Sequence, residues 1–76
     1  MPAPPLIIQL NGQQHAFEEL TSPANLIQVI DSLGLKTDRI AVEHNGEIAS
    51  RSTWAQTSVA IGDRLEIVHF VGGGTT

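Results

Sequence analysis

The residues best placed to do chemistry are three consecutive glycines, Gly72-Gly73-Gly74, close to the C-terminal end of the sequence. Glycine loses more backbone entropy than any other residue when it becomes ordered, and it adds no side chain to a core. Such a run is therefore a poor structural element. Directly after the strand-like and mostly apolar residues 65–71, it predicts a thin, flexible arm that the active site of another protein can receive. The reactive group would then be a backbone carboxylate at the end of the arm.

Catalysis by the chain's own side chains has little support in the sequence. There is no cysteine, which excludes a disulfide framework, a thiolate metal site and a thiol nucleophile. A hydroxyl nucleophile needs an adjacent base, and no recognisable motif joins a histidine to the serines and threonines of residues 50–58. The histidines His15, His44 and His69 fall on separate predicted strands without the paired spacing of a metal site. The sequence therefore predicts neither an enzyme nor a metal centre.

Length, charge and the N-terminal residues predict one small cytoplasmic domain. A chain of 76 residues suffices for a single aliphatic core, and a formal net charge of -4 gives no reason to expect a nucleic-acid partner. The start of the chain lacks the basic and apolar regions of a signal peptide, and no stretch could span a bilayer, so no membrane partner is expected. We expect a proline-rich leader at residues 1–5, a folded domain at residues 6–71 and a flexible glycine tail at residues 72–76.

Two Asn-Gly pairs predict two hairpins. Asn11-Gly12 follows an aliphatic run, and Asn45-Gly46 follows the alternating segment at residues 40–44. Asn-Gly favours the type I′ turn, because both central residues of that turn have positive φ. The chain is therefore predicted to return as a strand over residues 14–18 and again over residues 47–49.

An amphipathic helix is predicted between the hairpins. Apolar residues recur at three- and four-residue spacing over residues 26–33, which is typical of a helix with one buried stripe. We expect Ser22 to cap the first N–H groups, with Pro23 at the first helical position. Gly34 is predicted to adopt the left-handed conformation that commonly follows the end of a helix.

The final strand determines the predicted fold. Residues 65–71 are the longest strand candidate. The preceding residues 51–56 predict an irregular or single-turn connection, in which Trp54 packs at one edge of the core or, alternatively, anchors an interface. The order hairpin, helix, hairpin and strand fits an α+β roll with one helix on one face of the sheet. If the final strand lies in the middle of the sheet, beside the first, the roll is a β-grasp.

Alternation along the final strand predicts a partner-binding face. With Leu65 and Ile67 in the core, Glu66, Val68 and Phe70 point to the opposite face, which a mixed sheet can leave exposed to solvent. Exposed apolar side chains beside the tail favour docking of a partner, although ordinary packing near the end of the sheet is the alternative. The predicted partner contacts precede the last glycines: Val68, Phe70, Val71 and Gly72.

Several short motifs follow one another along the chain in a defined order. They are the Asn11-Gly12 turn, a helix that ends in Asp31-Ser32-Leu33-Gly34, residues 40–48, the segment Arg51-Ser52-Thr53-Trp54-Ala55 and the Gly62-Asp63 pair before the last strand. In this order they resemble the ubiquitin-like sulfur carriers, most closely the ThiS family, over nearly everything after the leader. The resemblance implies a β-grasp with a mixed sheet and one principal helix.

The resemblance also implies a function in the synthesis of the thiazole ring of thiamine. In such carriers an ATP-dependent enzyme, ThiF, adenylates the carboxylate of the terminal glycine. A sulfur-donor system then replaces AMP with sulfur, and the thiocarboxylate is delivered to the thiazole synthase, ThiG. Carried over to this sequence, the reactive carboxylate belongs to Gly74, with Gly73 as its neighbour and Gly72 as a spacer. The chain itself would be a protein co-substrate that binds no cofactor, since ATP is used by the adenylating enzyme.

The sequence departs from the family pattern after Gly74. Carriers that resemble this chain end at a Gly-Gly pair, whereas Thr75-Thr76 follows here. A carboxylate on Thr76 would bring a β-branched side chain into a passage shaped for glycine. Either Thr75-Thr76 is removed before activation, or it is an addition to the natural chain.

Two other functions are open at this point. The small subunit of molybdopterin synthase, a MoaD-like sulfur carrier, resembles the same fold and tail but would form a stable complex with a large catalytic subunit. The chain could also be a β-grasp interaction module that is never activated. Deleting residues 73–76 would then leave its activity intact.

Overall fold

A five-stranded mixed sheet, a two-stranded sheet and an α-helix form the part of the chain that the computed structural model describes, residues 4–70. In chain order the elements are β1 (Pro5–Leu10), β2 (Gln13–Thr21), β3 (Ala24–Asn25), α1 (Leu26–Ser32), β4 (Ile40–His44), β5 (Glu47–Ala49), β6 (Ser58–Val59) and β7 (Arg64–His69). Two 3₁₀ turns, Thr37–Arg39 and Arg51–Gln56, lie in the connections. No helix within residues 4–70 has the length and apolar character needed to cross a membrane.

The last strand lies in the centre of the main sheet. The strand order is β2-β1-β7-β4-β5, with β7 parallel to β1 and antiparallel to β4. Because parallel neighbours cannot be joined by a tight hairpin, the chain must cross over between β1 and β7. This crossover carries α1 against one face of the sheet. The predicted α+β roll is therefore confirmed, and the central position of its last strand makes it a β-grasp.

A single apolar core lies between the sheet and α1. Along β7, Leu65 and Ile67 are buried, and α1 contributes Leu26, Val29 and Ile30. Full burial of a side chain of this kind stabilises the fold by about 1.5–3 kcal/mol. The other buried apolar residues are Leu6, Ile8, Phe17, Ala24, Ile40, Val42, Trp54 and Val59.

Trp54 packs into this core from the 3₁₀ turn Arg51–Gln56. Its side chain is 1% exposed, and its indole N–H donates a hydrogen bond to the carbonyl of Ala49 at 2.8 Å. The predicted packing role of Trp54 is confirmed. The connection, predicted to be irregular or a single turn, is instead a 3₁₀ helix of 6 residues, which is about two turns. The alternative role as an interface anchor is wrong, because a buried indole is not available to a partner.

Both Asn-Gly pairs form the predicted turns. The φ angles are 50° and 83° at Asn11 and Gly12, and 53° and 88° at Asn45 and Gly46. Positive φ at both central residues is the property that favours Asn-Gly in two-residue hairpins. The hairpins β1–β2 and β4–β5 are therefore confirmed, with Leu10 opposite Gln13 and His44 opposite Glu47.

The helix begins later than predicted, and Ser22 is not its cap. The N-cap is Asn25, whose side chain accepts a hydrogen bond from the N–H of Gln28 at 2.8 Å, while the Gln28 side chain accepts one from the N–H of Asn25 at 2.9 Å. This reciprocal capping box satisfies two N–H groups that the helix leaves unpaired. The predicted cap, Ser22, instead accepts a hydrogen bond from the N–H of Ile61.

The physical reason is a strand pair that the sequence analysis missed. Residues Ala24–Asn25 form β3, which pairs with β6 to make the two-stranded sheet. The chain is therefore extended immediately after Pro23, so Pro23 cannot occupy the first helical position. At the other end the prediction is confirmed: Gly34 follows the helix with φ +74°, in the left-handed region.

The final strand is shorter than predicted. It covers Arg64–His69 rather than residues 65–71, and Phe70 lies beyond its end. The N–H of Phe70 nevertheless donates to the carbonyl of Arg39, the next residues in register after the Ile40–His69 pair. Phe70 is therefore still held to the 3₁₀ turn before β4. Val71 lies outside the described residues.

Candidate functional site

The described structure ends where the predicted reactive tail begins. Phe70 is the last described residue, and the predicted site residues Val71, Gly72, Gly73 and Gly74 lie outside the described range. The structure describes the surface around Phe70, from which the chain continues toward these residues. There the 2.8 Å hydrogen bond from Phe70 N–H to the carbonyl oxygen of Arg39 ties the chain to the turn before β4.

Apolar side chains are exposed on the face of the sheet opposite α1. In β7 the buried residues Leu65 and Ile67 alternate with exposed ones, and Val68 is 61% exposed. Phe70, just beyond the strand, is 55% exposed. The predicted exposure of Val68 and Phe70 is therefore confirmed, and neither belongs to the core of the described residues. Their contact with a partner stays a prediction.

A third apolar residue, which was not predicted from the sequence, is exposed on this face. Ile48 in β5 is 78% exposed and lies directly opposite Glu43 of β4. A signal for it was present, because the two-residue turn at Asn45-Gly46 fixes the register of the hairpin. Counting back from that turn pairs Glu43 with Ile48 and so places Ile48 on the face away from the core.

A groove runs across this face between β5, β4 and β7. We call it the outer groove; its volume is about 260 Å³, and it is lined by Ala41, Val42, Glu43, Ile48, Glu66 and Val68. Residues on neighbouring strands face each other in register, Ala41 with Val68 and Glu43 with Glu66. The groove therefore combines apolar walls with two carboxylates.

Two asparagines fix β7 in its central position. At the first turn, the N–H of Asn11 donates to the carbonyl of Leu65 at 2.9 Å, and its side-chain oxygen accepts from the N–H of Ile67 at 2.8 Å. At the second turn, the N–H of Asn45 donates to the carbonyl of Arg64, and its side-chain oxygen accepts from the N–H of Arg64, both at 2.8 Å. Each Asn-Gly turn thus reverses the chain within its own hairpin, and its asparagine also forms hydrogen bonds with β7.

Asp63 organises the turn that enters β7. Its carboxylate accepts a hydrogen bond from the N–H of Ala60 at 3.0 Å and lies 2.8 Å from Nε2 of His44. Partial burial by itself would raise the pKa of Asp63, but the hydrogen bonds from Ala60, His44 and Asn45, with the attraction of His44, outweigh it and hold the pKa below the usual value of 3.8. His44 and Asp63 thus link the end of β4 to the start of β7.

The three histidines do not converge. The ring of His15 contacts that of Phe17 in a tilted arrangement, with ring centroids 4.4 Å apart. His44 contacts Asp63, and His69 is exposed at the end of β7. Across residues 4–70, no three His, Asp or Glu side chains come together as a set that could hold a metal ion.

Comparison with known proteins points to one family. The sequence model of the ThiS family matches residues 8–74 of this chain. The sulfur carrier protein ThiS of Bacillus subtilis is 32% identical over 68 residues, which cover 90% of this chain and 100% of that protein. The crystal structure of a thiamine biosynthesis protein (ThiS) from Geobacter metallireducens superimposes with a TM-score of 0.77 at 27% identity, covering 91% of this chain and 100% of that one.

The chain is also similar to one segment of two larger proteins. The thiazole synthase of Paramagnetospirillum magneticum is 38% identical over 66 residues, and that of Magnetococcus marinus is 37% identical over 67 residues. These segments cover 87% and 88% of this chain but only 19% and 20% of the two synthases. The chain thus spans about a fifth of the length of these relatives.

Proposed function

Because the chain belongs to the ThiS family of sulfur carriers in thiamine biosynthesis, we propose that it carries the sulfur atom used to form the thiazole ring. The sulfur carrier protein ThiS of Bacillus subtilis, which this chain matches along that protein's whole length, supports the proposal. In this function the chain is a co-substrate whose own end is modified, and the enzymes that modify it are its partners.

The proposed chemistry takes place in two steps at the terminal carboxylate. The carboxylate first attacks the α-phosphorus of ATP, which forms an acyl-adenylate and releases pyrophosphate. A sulfur nucleophile then attacks the acyl carbon and displaces AMP, leaving a thiocarboxylate. ATP is held by the adenylating enzyme, ThiF, so this chain needs to bind no cofactor. A sulfur-donor system supplies the nucleophile.

We assign the reactive carboxylate to Gly74, with Gly73 before it and Gly72 as a spacer. The match to the family model supports this assignment, since the matched region ends at Gly74 and leaves out Thr75-Thr76. Residues without side chains can pass through a narrow channel to the α-phosphate, whereas a terminal threonine brings a branched side chain. The active form is therefore one that ends at Gly74.

The exposed face beside the tail is the proposed docking surface. Val68 and Phe70 would contact the partner enzymes, with Val71 and Gly72 leading into the active site. The similarity to segments of two thiazole synthases supports thiazole synthase, ThiG, as one partner. The cytoplasm, where ATP is available to the adenylating enzyme, is the proposed location.

The single observation that carries the proposal is the family match over residues 8–74. The test is intact-mass analysis of a chain that ends at Gly74, after incubation with the adenylating enzyme, ATP and sulfide. The expected result is a product in which one terminal oxygen is replaced by sulfur. The product should not form when ATP is left out, because the carboxylate is then never activated.

Two outcomes would contradict the proposal at different levels. No mass change on the chain ending at Gly74, with an adenylating enzyme shown to be active on another carrier, would contradict the function itself. Equally efficient thiolation of the full chain at Thr76 would leave the function standing but show that the assignment to Gly74 is wrong.

A further inference from the structure

Two carboxylates face each other across the centre of the exposed face. Glu43 of β4 lies directly opposite Glu66 of β7, and both side chains are exposed. Like charges at directly opposed positions destabilise a sheet. Within residues 4–70, neither carboxylate is within ion-pair distance of an Arg, Lys or His, although Arg64 lies two residues before Glu66 on the same strand. The isolated chain therefore carries an uncompensated repulsion at this point.

Toward the tail and toward β5 the two carboxylates have apolar neighbours, whereas away from the tail the next residues on this face are Asn45 and Arg64. Glu43 has Ile48 as its neighbour on β5, and the next cross-strand pair toward the tail is Ala41 with Val68. Ile48 and Val68 are 78% and 61% exposed. A ligand in the outer groove thus meets two acceptor groups, with aliphatic side chains on the side of the tail and on β5.

We propose that the outer groove is the docking site for an arginine side chain of the thiazole synthase, held between Glu43 and Glu66. A guanidinium group fits this arrangement better than an ammonium group, because its planar array of N–H donors can serve two carboxylates at once and its flat faces pack on apolar side chains. Binding would also remove the repulsion between the two glutamates.

The proposed occupant of the groove belongs to thiazole synthase, so this inference rests on the proposed function. The two matched synthases contain a segment similar to this chain within their own sequence, so in those proteins the carrier-like segment and the rest of the synthase are covalently joined. A second copy of this chain is a poor occupant, since it would bring two more carboxylates into the groove of a chain whose net charge is already -4.

The test compares the parent chain with Glu43→Gln, Glu66→Gln and the double variant, by calorimetric titration with the thiazole synthase. Glutamine keeps the size and the acceptor oxygen of the side chain but removes the charge. We expect the double variant to bind at least about tenfold more weakly at about 0.1 M salt, because it removes the charges that pair with the arginine. The difference should shrink at about 1 M salt, where electrostatic attraction is screened.

The free chain supplies a second readout that a merely structural role would not give. Each single variant relieves the repulsion between the carboxylates, so the free energy of unfolding should stay the same or rise while affinity falls. Glu18→Gln is the matched control: it removes an equal charge from exposed β2, which β1 separates from β7. It should leave affinity within about twofold of the parent.

Several outcomes would overturn the inference. If the parent and the double variant bind thiazole synthase equally at both salt concentrations, the two carboxylates contact water and not an arginine of the partner. Weaker binding to the adenylating enzyme alone would show that the partner is wrong, and dimerisation strengthened by the double variant would identify a second copy as the occupant. In each of these cases the sulfur-carrying function stands. Failure of the parent chain to bind thiazole synthase at all would contradict the proposed function together with the inference.

Discussion

At the scale of single residues, Asp63 shows how one carboxylate can organise the approach to the last strand. It receives the N–H of Ala60 within its own turn and contacts His44 at the end of β4. An ionised carboxylate can only accept hydrogen bonds. The contacts of Asp63 with Ala60 and His44 therefore favour its ionised form. They outweigh the effect of partial burial, so the pKa of Asp63 lies below 3.8.

This lowered pKa predicts how stability depends on pH. A carboxylate whose pKa is lower in the folded state stabilises the fold above its unfolded pKa, and the contribution is lost as the pH falls through the folded pKa. Asp63→Asn should therefore lower the free energy of unfolding at neutral pH by about 1–2 kcal/mol. Urea unfolding at a series of pH values measures both effects.

The difference between the parent chain and Asp63→Asn should narrow as the pH falls below about 4. Asp38→Asn, at an exposed position in the 3₁₀ turn before β4, is the control and should change stability by no more than about 0.5 kcal/mol. A constant difference between the parent and Asp63→Asn down to about pH 2 would show that the carboxylate's charge does not contribute.

At the scale of elements, local signals were sufficient for the hairpins but not for the start of the helix. The Asn-Gly turns and the apolar stripe of α1 depend on residues close in sequence, and both were predictable. The N-cap depended on β3, whose partner β6 lies more than thirty residues further along the chain. Nothing near Ser22 indicates that pairing, so the local sequence predicts a helix start at Ser22-Pro23.

The corrected helix start predicts different effects for two similar substitutions. Asn25→Ala removes the acceptor of the capping box and should lower the free energy of unfolding by about 1 kcal/mol. Ser22→Ala removes only the acceptor for the N–H of Ile61 at an exposed position, and its effect should be smaller. Thermal unfolding of the two variants at one pH makes the comparison. An equal or larger loss for Ser22→Ala would contradict the position of the cap.

At the scale of the whole molecule, the proposed docking surface was predictable only along one strand. Alternation in the last strand predicted that Val68 and Phe70 are exposed. Glu43 and Ile48 belong to the same surface because β4 and β5 lie next to β7. That strand order is a property of the folded chain and cannot be read from the last strand alone. Sequence reasoning therefore identified one side of the outer groove and missed the other.

Replacing Val68 and Phe70 together with serine tests this surface. Both side chains are largely exposed, so the variant should keep nearly the stability of the parent. Loss of the apolar contacts should weaken binding to the adenylating enzyme and to thiazole synthase by at least about 2 kcal/mol. Titration calorimetry measures affinity, and circular dichroism checks the fold.

The control for this pair is Ile67→Ser, one residue away on the buried face of β7. It should lower the free energy of unfolding by about 2–4 kcal/mol, because it removes a core side chain and buries a hydroxyl group. A Val68→Ser, Phe70→Ser variant that unfolds as Ile67→Ser does would contradict the docking assignment, as would one that binds both partners unchanged.

The central position of β7 also has a mechanical consequence. A partner that draws the end of the chain into its active site pulls along the axis of this strand. Hydrogen bonds flank β7 on both sides, to β1 and the side chain of Asn11 on one side and to β4 on the other. Such a force loads these bonds together in shear, and a strand at the edge of the sheet would have such bonds on one side only. In the proposed function, the domain would thus resist tension applied at its C-terminal end.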